Sequence, residues 1–458
     1  MGKDSGDNMA DIAWIRNAPE AALTAAHDRG QPVLLYWGAQ WCPPCNRVKA
    51  EIFSHPDLAP LLPGLVPLYL DGDSDGAQRL AERFHLRSYP TLVLMRSDGR
   101  ELTRLPCEVD GARFASLLAL AMQAPCTVAA SLDAALSGTR ELDLAEWRLL
   151  AFYSWDTDEG RLLGERQAAP TLAALADACP DRDCARRLAW HACYLAAKGK
   201  LPLAADAALQ LARDLGDAQF VRNHADIICN YAADLVRLLT AAQSEARAQL
   251  THAWSSAVLS LETDPFVNLS DQLFALRVRV RMARLGQAVA DIEDLVRARV
   301  TDALAQAADP ALRLVVLNIG AGAMIDAGMA TDAATLLSDE MRSTHSPYYF
   351  MHTLATLAKK RGDAGAAVDW YERAWRESQG AATRLQWGTT YLLALIELAP
   401  DSATRIEQCA QAMLADVATM RDAHCQRNRS QLVRIADKLP ALASRSEVLA
   451  SLLSVAQG

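Results

Sequence analysis

The run Pro32-Val33-Leu34-Leu35-Tyr36-Trp37 leads within four residues into Trp41-Cys42-Pro43-Pro44-Cys45. Six consecutive residues that are apolar or aromatic suit a strand buried on both faces. The segment after them opens a helix at Pro43. Proline is tolerated there because the first helical N–H groups have no intrahelical partner. The order is therefore strand, loop, helix, with two cysteines at the helix start. A thiol must be a thiolate to attack. A helix N-terminus offers unpaired N–H groups and the positive end of a dipole, both of which favour a thiolate at the first cysteine. Two intervening residues place the second sulfur one turn further on. Cys42 and Cys45 thus read as a redox pair. A zinc site would need two more ligands at suitable spacing, and none lies nearby.

Working outward, Leu65 to Leu70 forms a second strand candidate and Thr91 to Met95 a third. Ser97-Asp98-Gly99 marks a hairpin turn to a fourth over Glu101 to Leu105. Helical spacing covers about 43–53, 75–84 and 110–122. Strand and helix alternate, then a hairpin and a last helix close the unit. This is a mixed α/β sheet with helices on both faces.

These residues resemble the thioredoxin superfamily. The resemblance rests on the strand before Trp41-Cys42-Pro43-Pro44-Cys45, on Ser88-Tyr89-Pro90-Thr91, and on the terminal hairpin and helix. The stretch from Ile52 to Asp71 is similar to the branch related to the C-terminal catalytic domain of bacterial transmembrane disulfide reductases. The resemblance implies that Cys42 is the attacking cysteine, Cys45 the resolving one and Pro90 a cis-proline. It further implies that the Tyr89 backbone pairs with substrate, with Trp41 and Pro43 beside it, and that the Cys42–Cys45 disulfide itself is the redox group, with no further cofactor and no metal. One departure stands out. The family carries a buried Asp six positions before the first cysteine, and that position is Tyr36. A phenol with a pKa of about 10 is a poor base, so Glu51 or water is left to take the Cys45 proton, and the redox direction stays open.

Beyond about residue 140 the pattern changes. Ala and Leu dominate, the period becomes 3.6, and short breaks such as Lys198-Gly199, Asp309-Pro310 and Arg361-Gly362-Asp363 separate helical stretches. Gly328 and Gly362 lie 34 apart, the tetratricopeptide period, and Leu354 to Ala374 resembles one such repeat. The expected architecture is an α/β thioredoxin-like N-terminal domain followed by an all-α helical-hairpin, tetratricopeptide-like array. Its parts are a flexible tail over 1–10, the thioredoxin-like domain over 11–125, a linker over 126–140 and the helical domain over 141–458.

The 458 residues carry 46 Lys and Arg against 55 Asp and Glu, a net charge of −9 with no basic cluster, so a grip on nucleic acid is not indicated. Ten cysteines are too few for a disulfide scaffold. Cys179 with Cys184, and Cys409 with Cys425, have spacings that allow bridges, and bridging would point to an oxidising compartment. No stretch reads as a membrane span. The polar start carries no secretory signal, so the chain as given reads as cytoplasmic, with a periplasmic mature form as the alternative. Phe152 to Glu159 is an aromatic and acidic cluster suited to a contact between domains. The expected function is a thiol-disulfide oxidoreductase acting on protein thiols or disulfides, with the helical domain binding a client. The alternative is a scaffold or holdase in which the thioredoxin-like part serves as a docking module.

Overall fold

The structure, a computed structural model, describes residues 12–286, 291–344, 346–444 and 446–457. The tail expected over 1–10 lies outside the described residues. The N-terminal elements are β1 (Ile15–Arg16), α1 (Pro19–Arg29), β2 (Val33–Gly38), α2 (Pro43–Arg47), β3 (Val66–Asp71), α3 (Ala77–Arg83), β4 (Thr91–Met95), β5 (Glu101–Leu105) and α4 (Gly111–Gln123). The backbone of α2 continues as a wider π turn over Val48–Ile52.

The sheet order is β1-β3-β2-β4-β5. β1 and β2 both run parallel to β3, while β2–β4 and β4–β5 are antiparallel. β2 is central, and all six of its residues are buried. Its alternation splits the core in two. Val33, Leu35 and Trp37 face the side packed by α1 and α3, and Leu34 and Tyr36 face the side packed by Phe114, Leu117 and Leu118 of α4. This is a mixed sheet with helices on both faces, as the sequence pattern predicts. The four strands read from sequence are present. The fifth, β1, is a two-residue edge strand with no apolar run of its own.

Everything after α4 that is regular among the described residues is helical. The segment 126–140, read from sequence as a linker, instead holds the helix Val128–Ser137. Thr127 caps its N-terminus through a side-chain bond to the Ala130 N–H, and Gly138 ends it in the left-handed region. No single helix among the described residues is long and apolar enough to cross a membrane. The helices Tyr348–Lys360 and Ala364–Glu377 pack as a pair around Gly362, whose φ of +80° makes the turn. Tyr371 lies buried between them, its ring 5.3 Å from His352.

The two regions share cores. Ala39, Trp41, Cys42 and Cys45 belong to one apolar cluster with side chains from helices spanning Leu273 to Ala456. The α4 face of the sheet continues into Trp147, Leu172 and Leu188. The buried cluster Phe152, Tyr153 and Trp155 lies in that continuation, as expected of a contact between regions.

Candidate functional site

β2 ends at Gly38, and a tight loop carries the chain to Trp41. Gly38 has a steric reason: a Cβ there would lie 2.5 Å from the Tyr36 hydroxyl. Cys42 is the N-cap of α2. The Cys45 N–H donates to its Sγ at 3.3 Å, and the Cys42 thiol donates to the Tyr89 carbonyl at 3.9 Å. The Tyr89–Pro90 peptide bond is cis. Trp41 meets the Tyr89 ring edge-on at 6.2 Å. The structure therefore brings together Trp41, Cys42, Pro43, Cys45, Tyr89 and Pro90. A third thiol adjoins them: buried Cys107 donates to the Pro90 carbonyl at 3.9 Å.

Glu51 is not beside Cys45. Its carboxylate accepts from Arg47 at 3.0 Å, and Arg47 also reaches Asp271 at 2.6 Å. The group beside the Cys45 thiol is the Tyr36 phenol, which burial pushes well above its ordinary pKa. It can donate to a Cys45 thiolate but cannot accept its proton near neutrality.

The helical region covers this site, and no sequence signal announces that. Trp41 is 7% exposed, Cys42 4% and Cys45 0%. Tyr349 stacks on Trp41 at 6.0 Å, Trp387 meets it edge-on at 5.9 Å, and Trp41 Nε1 donates to Thr383 Oγ1 at 2.7 Å. The Arg427 guanidinium sits 4.3 Å from the centre of the Tyr89 ring. Burial pushes the Cys42 thiol well above its ordinary value, opposed by the Cys45 N–H and the Arg427 charge. In this closed arrangement Cys42 is held as a thiol.

Two helix N-termini lock the cover in place, each capped from the opposite region. The helix Ala381–Leu398 has glycine, Gly380, at its N-cap and so no capping side chain of its own. Asp73 supplies the carboxylate: Oδ1 accepts from the Thr383 N–H at 2.8 Å and Oδ2 from the Thr383 hydroxyl at 2.6 Å. Conversely α3 begins after Gly76, and Asp422 accepts from the Gln78 N–H at 2.8 Å. Gly380 must be glycine on two counts. Its φ is +87°, and a Cβ would lie 2.3 Å from Asp73 Cγ. Burial pushes Asp73 up to about 6, against the two bonds from Thr383 that favour its ionised form.

Of the paired cysteines expected from spacing, Cys179 and Cys184 are close neighbours as free thiols, at the turn where Asp181 caps the helix Arg182–Lys198. Cys409 and Cys425 do not face each other. Cys409 donates to the Gly388 carbonyl and contacts Met413, whereas Cys425 lies beside Glu82. Among the described residues no cluster of three or more His, Cys, Asp and Glu is placed to hold a metal ion.

Comparison with known proteins agrees with this geometry. A family model described as a thioredoxin-like domain matches residues 19–121. The thiol:disulfide interchange protein DsbD of Klebsiella pneumoniae is 31% identical over 124 residues, which cover 26% of this chain and 21% of that protein. DsbD 2 of Pseudomonas aeruginosa is 35% identical over 96 residues, covering 20% of this chain and 16% of the relative. DsbD 1 of the same organism is 34% identical over 103 residues, covering 22% and 17%. The chain thus spans about a fifth of the length of the curated relatives it matches. Residues 19–121 are a thioredoxin-like domain, similar to part of these disulfide interchange proteins, and a largely helical region follows it.

Proposed function

We propose that this chain is a thiol-disulfide oxidoreductase working through Cys42 and Cys45, with no diffusible cofactor. The observation that carries the reading is the placement of Cys42. It sits at the N-cap of α2, bonded by the Cys45 N–H at 3.3 Å and 3.9 Å from the Tyr89 carbonyl. The similarity to disulfide interchange proteins supports it.

In this mechanism the Cys42 thiolate attacks a disulfide sulfur. The bond between the two substrate sulfurs breaks, a mixed disulfide with Cys42 forms, and one substrate thiol leaves with a proton. Cys45 then attacks Cys42 Sγ, the second substrate thiol leaves, and the Cys42–Cys45 disulfide remains; two electrons have passed to the substrate. The reverse sequence oxidises a dithiol. Trp41, Pro43, Tyr89 and Pro90 shape the approach to Cys42.

The helical region controls access to the pair. A protein disulfide meets Cys42 only after the Trp41–Thr383 and Asp73–Thr383 contacts part, because the thiol is 4% exposed while they hold. That same burial is what favours the second reading, a scaffold in which the thioredoxin-like part acts as a docking module. Insulin reduction with dithiothreitol separates the two. Wild type, and more strongly an Asp73→Ala variant whose cover is loosened, should outpace Cys42→Ser. If neither does so, the redox reading fails. If they do, mixed disulfides trapped on Cys45→Ala identify the protein partners.

A further inference from the structure

Tyr36 stands six positions before Cys42, where the resemblance implies a buried Asp, and the redox reading gives it no part. It is 0% exposed, and its hydroxyl has no hydrogen-bond partner among the described residues. The ring is fixed by its neighbours. It stacks on Tyr69 with centres 5.1 Å apart and meets Phe53 edge-on at 5.0 Å. At its tip the backbone of Gly38 closes in, so that a Cβ there would lie 2.5 Å from the phenol oxygen.

The sulfur beside this orphan donor is that of Cys45, itself fully buried. A neutral thiol is a weak acceptor, so beside it the phenol O–H stays unmet, at the cost of a buried unsatisfied donor. A thiolate accepts strongly. The arrangement is therefore mismatched to the thiol and matched to the thiolate. Other groups act in the same direction. Burial opposes charge on Cys45, but the neighbouring Cys42 thiol, the Ala39 N–H, the Tyr36 phenol and the Lys49 charge outweigh it and hold Cys45 below its ordinary value. The remaining titratable groups that face the pair are Cys107 after β5, Tyr89 before β4, and Tyr349 and Arg427 from the helical region. Burial pushes Cys107 and both phenols up, so they stay neutral, and Arg427 keeps its charge.

We infer that Tyr36 is a fixed hydrogen-bond donor to the Cys45 thiolate and sets how oxidising the Cys42–Cys45 pair is. This rests on the redox reading above and fills the place that the absent carboxylate leaves open. The resolving step needs no base, because Cys45 enters it already ionised and Tyr36 keeps its own proton throughout. Cys42–SH, Cys45–S⁻ and a disulfide R–S–S–R give the Cys42–Cys45 disulfide, R–SH and R–S⁻. The Cys42 proton leaves with the first R–SH. Cys45–S⁻ then attacks Cys42 Sγ, and the second substrate sulfur departs as R–S⁻; two electrons have passed to R–S–S–R. A donor already in place where the charge sits needs no reorganisation. The Cys42–Cys45 disulfide offers the phenol no charge to meet. Tyr36 thus stabilises the reduced form alone, which makes the pair more oxidising.

The test equilibrates the full chain with reduced and oxidised glutathione across a range of pH and measures the Cys42–Cys45 disulfide by acid quench and peptide mass. Tyr36→Phe keeps the ring and removes only the hydroxyl. Compared with wild type at the same pH, it should shift the equilibrium about tenfold toward the disulfide on the alkaline side, equivalent to about 30 mV. The thiolate exists only above the Cys45 midpoint. The shift should therefore vanish below that midpoint, grow as pH rises through it and then level. Ionisation of Asp73 is common to both proteins and cancels. Tyr69→Phe removes a buried hydroxyl from the stacked neighbour, beside Asp71 rather than Cys45, and should show no such pH-dependent shift. The difference in ultraviolet thiolate absorbance between Cys42→Ser and Cys42→Ser/Cys45→Ala reports Cys45 alone. Cys45 should titrate below an ordinary thiol there, and about one pH unit higher once Tyr36→Phe is added. A Cys45 titration at or above that of an ordinary thiol, one unmoved by Tyr36→Phe, or a redox offset equal at every pH overturns the inference while leaving the redox reading standing. A pair that forms no disulfide at any glutathione ratio overturns the redox reading itself.

Discussion

Replacing Asp73 by alanine should expose Cys42. Among the described residues Asp73 is the side chain that caps the N-terminus of the helix Ala381–Leu398, because Gly380 has none to offer. Losing a carboxylate cap costs about 1 kcal/mol, within a range of about 0.5–2. The Thr383 hydroxyl also loses the acceptor that it reaches at 2.6 Å, and a buried donor left unmet costs about 1–3 kcal/mol. Together these weaken the cover by about 3 kcal/mol. If Cys42 reacts only from the open form, its rate follows the open population and rises about 100-fold. The assay is iodoacetamide labelling of the reduced protein at pH 8, with Cys42 quantified by peptide mass and near-ultraviolet circular dichroism confirming that the variant is folded. Asp73→Asn is the companion variant. It keeps one of the two acceptor oxygens, drops the charge and should label at a rate between those of wild type and Asp73→Ala. A folded Asp73→Ala that labels within about threefold of wild type would refute the reasoning, since the expected weakening is several times that figure. So would wild-type Cys42 labelling as fast as it does in urea.

Three further outcomes are expected. Gly380→Ala should raise Cys42 labelling as Asp73→Ala does, because the new Cβ would meet Asp73 Cγ at 2.3 Å and φ is +87°; the same iodoacetamide assay reads it. Closing of the cover should depend on pH through Asp73, whose pKa is about 6 when closed against an ordinary 3.8. A raised value means the closed form binds the proton more tightly. Its contribution is therefore complete below about pH 4 and is lost as pH rises through 6. Cys42 labelling, after division by that of Asp73→Asn at each pH, should climb across this window and then level, and a flat ratio would rule the effect out. Finally, mild diamide oxidation should link Cys179 to Cys184, which are adjacent, and leave Cys409 and Cys425 unlinked; peptide mapping decides it.

How much of this was legible in the sequence follows from the range of each interaction. The strand Val33–Gly38, the two cysteines and the Ser88-Tyr89-Pro90 turn are local patterns whose geometry depends on near neighbours, and they were readable. So was the change of period after residue 140. The helix Val128–Ser137 carries local signals, an N-cap at Thr127 and a left-handed terminus at Gly138, although the linker boundaries drawn at 126–140 pass over it. The edge strand Ile15–Arg16 is too short to show alternation. The cover over Cys42 could not be read at all. Trp41 and Thr383 are 342 positions apart, and nothing near either residue specifies the other. Trp41 and Tyr349 are each ordinary core aromatics until the fold makes them neighbours. Gly380 carries no local sign of its role. Its meaning depends on Asp73, which sits three hundred residues earlier and caps from outside.

That reciprocal capping gives the chain a history as it is made. The N-terminal unit leaves the ribosome first and can fold as its sheet and helices are completed. The side chains that shut its redox loop away arrive later: Tyr349, then Thr383 and Trp387, then Asp422 and Arg427. At about 5–20 residues per second, the 342 positions from Trp41 to Thr383 amount to roughly 17–70 seconds of synthesis. For that interval the nascent protein carries an uncovered, thioredoxin-like dithiol. What the finished molecule keeps covered is therefore open to the surrounding thiol pool while each copy is being made, and the redox state acquired then is the one the arriving helices first enclose.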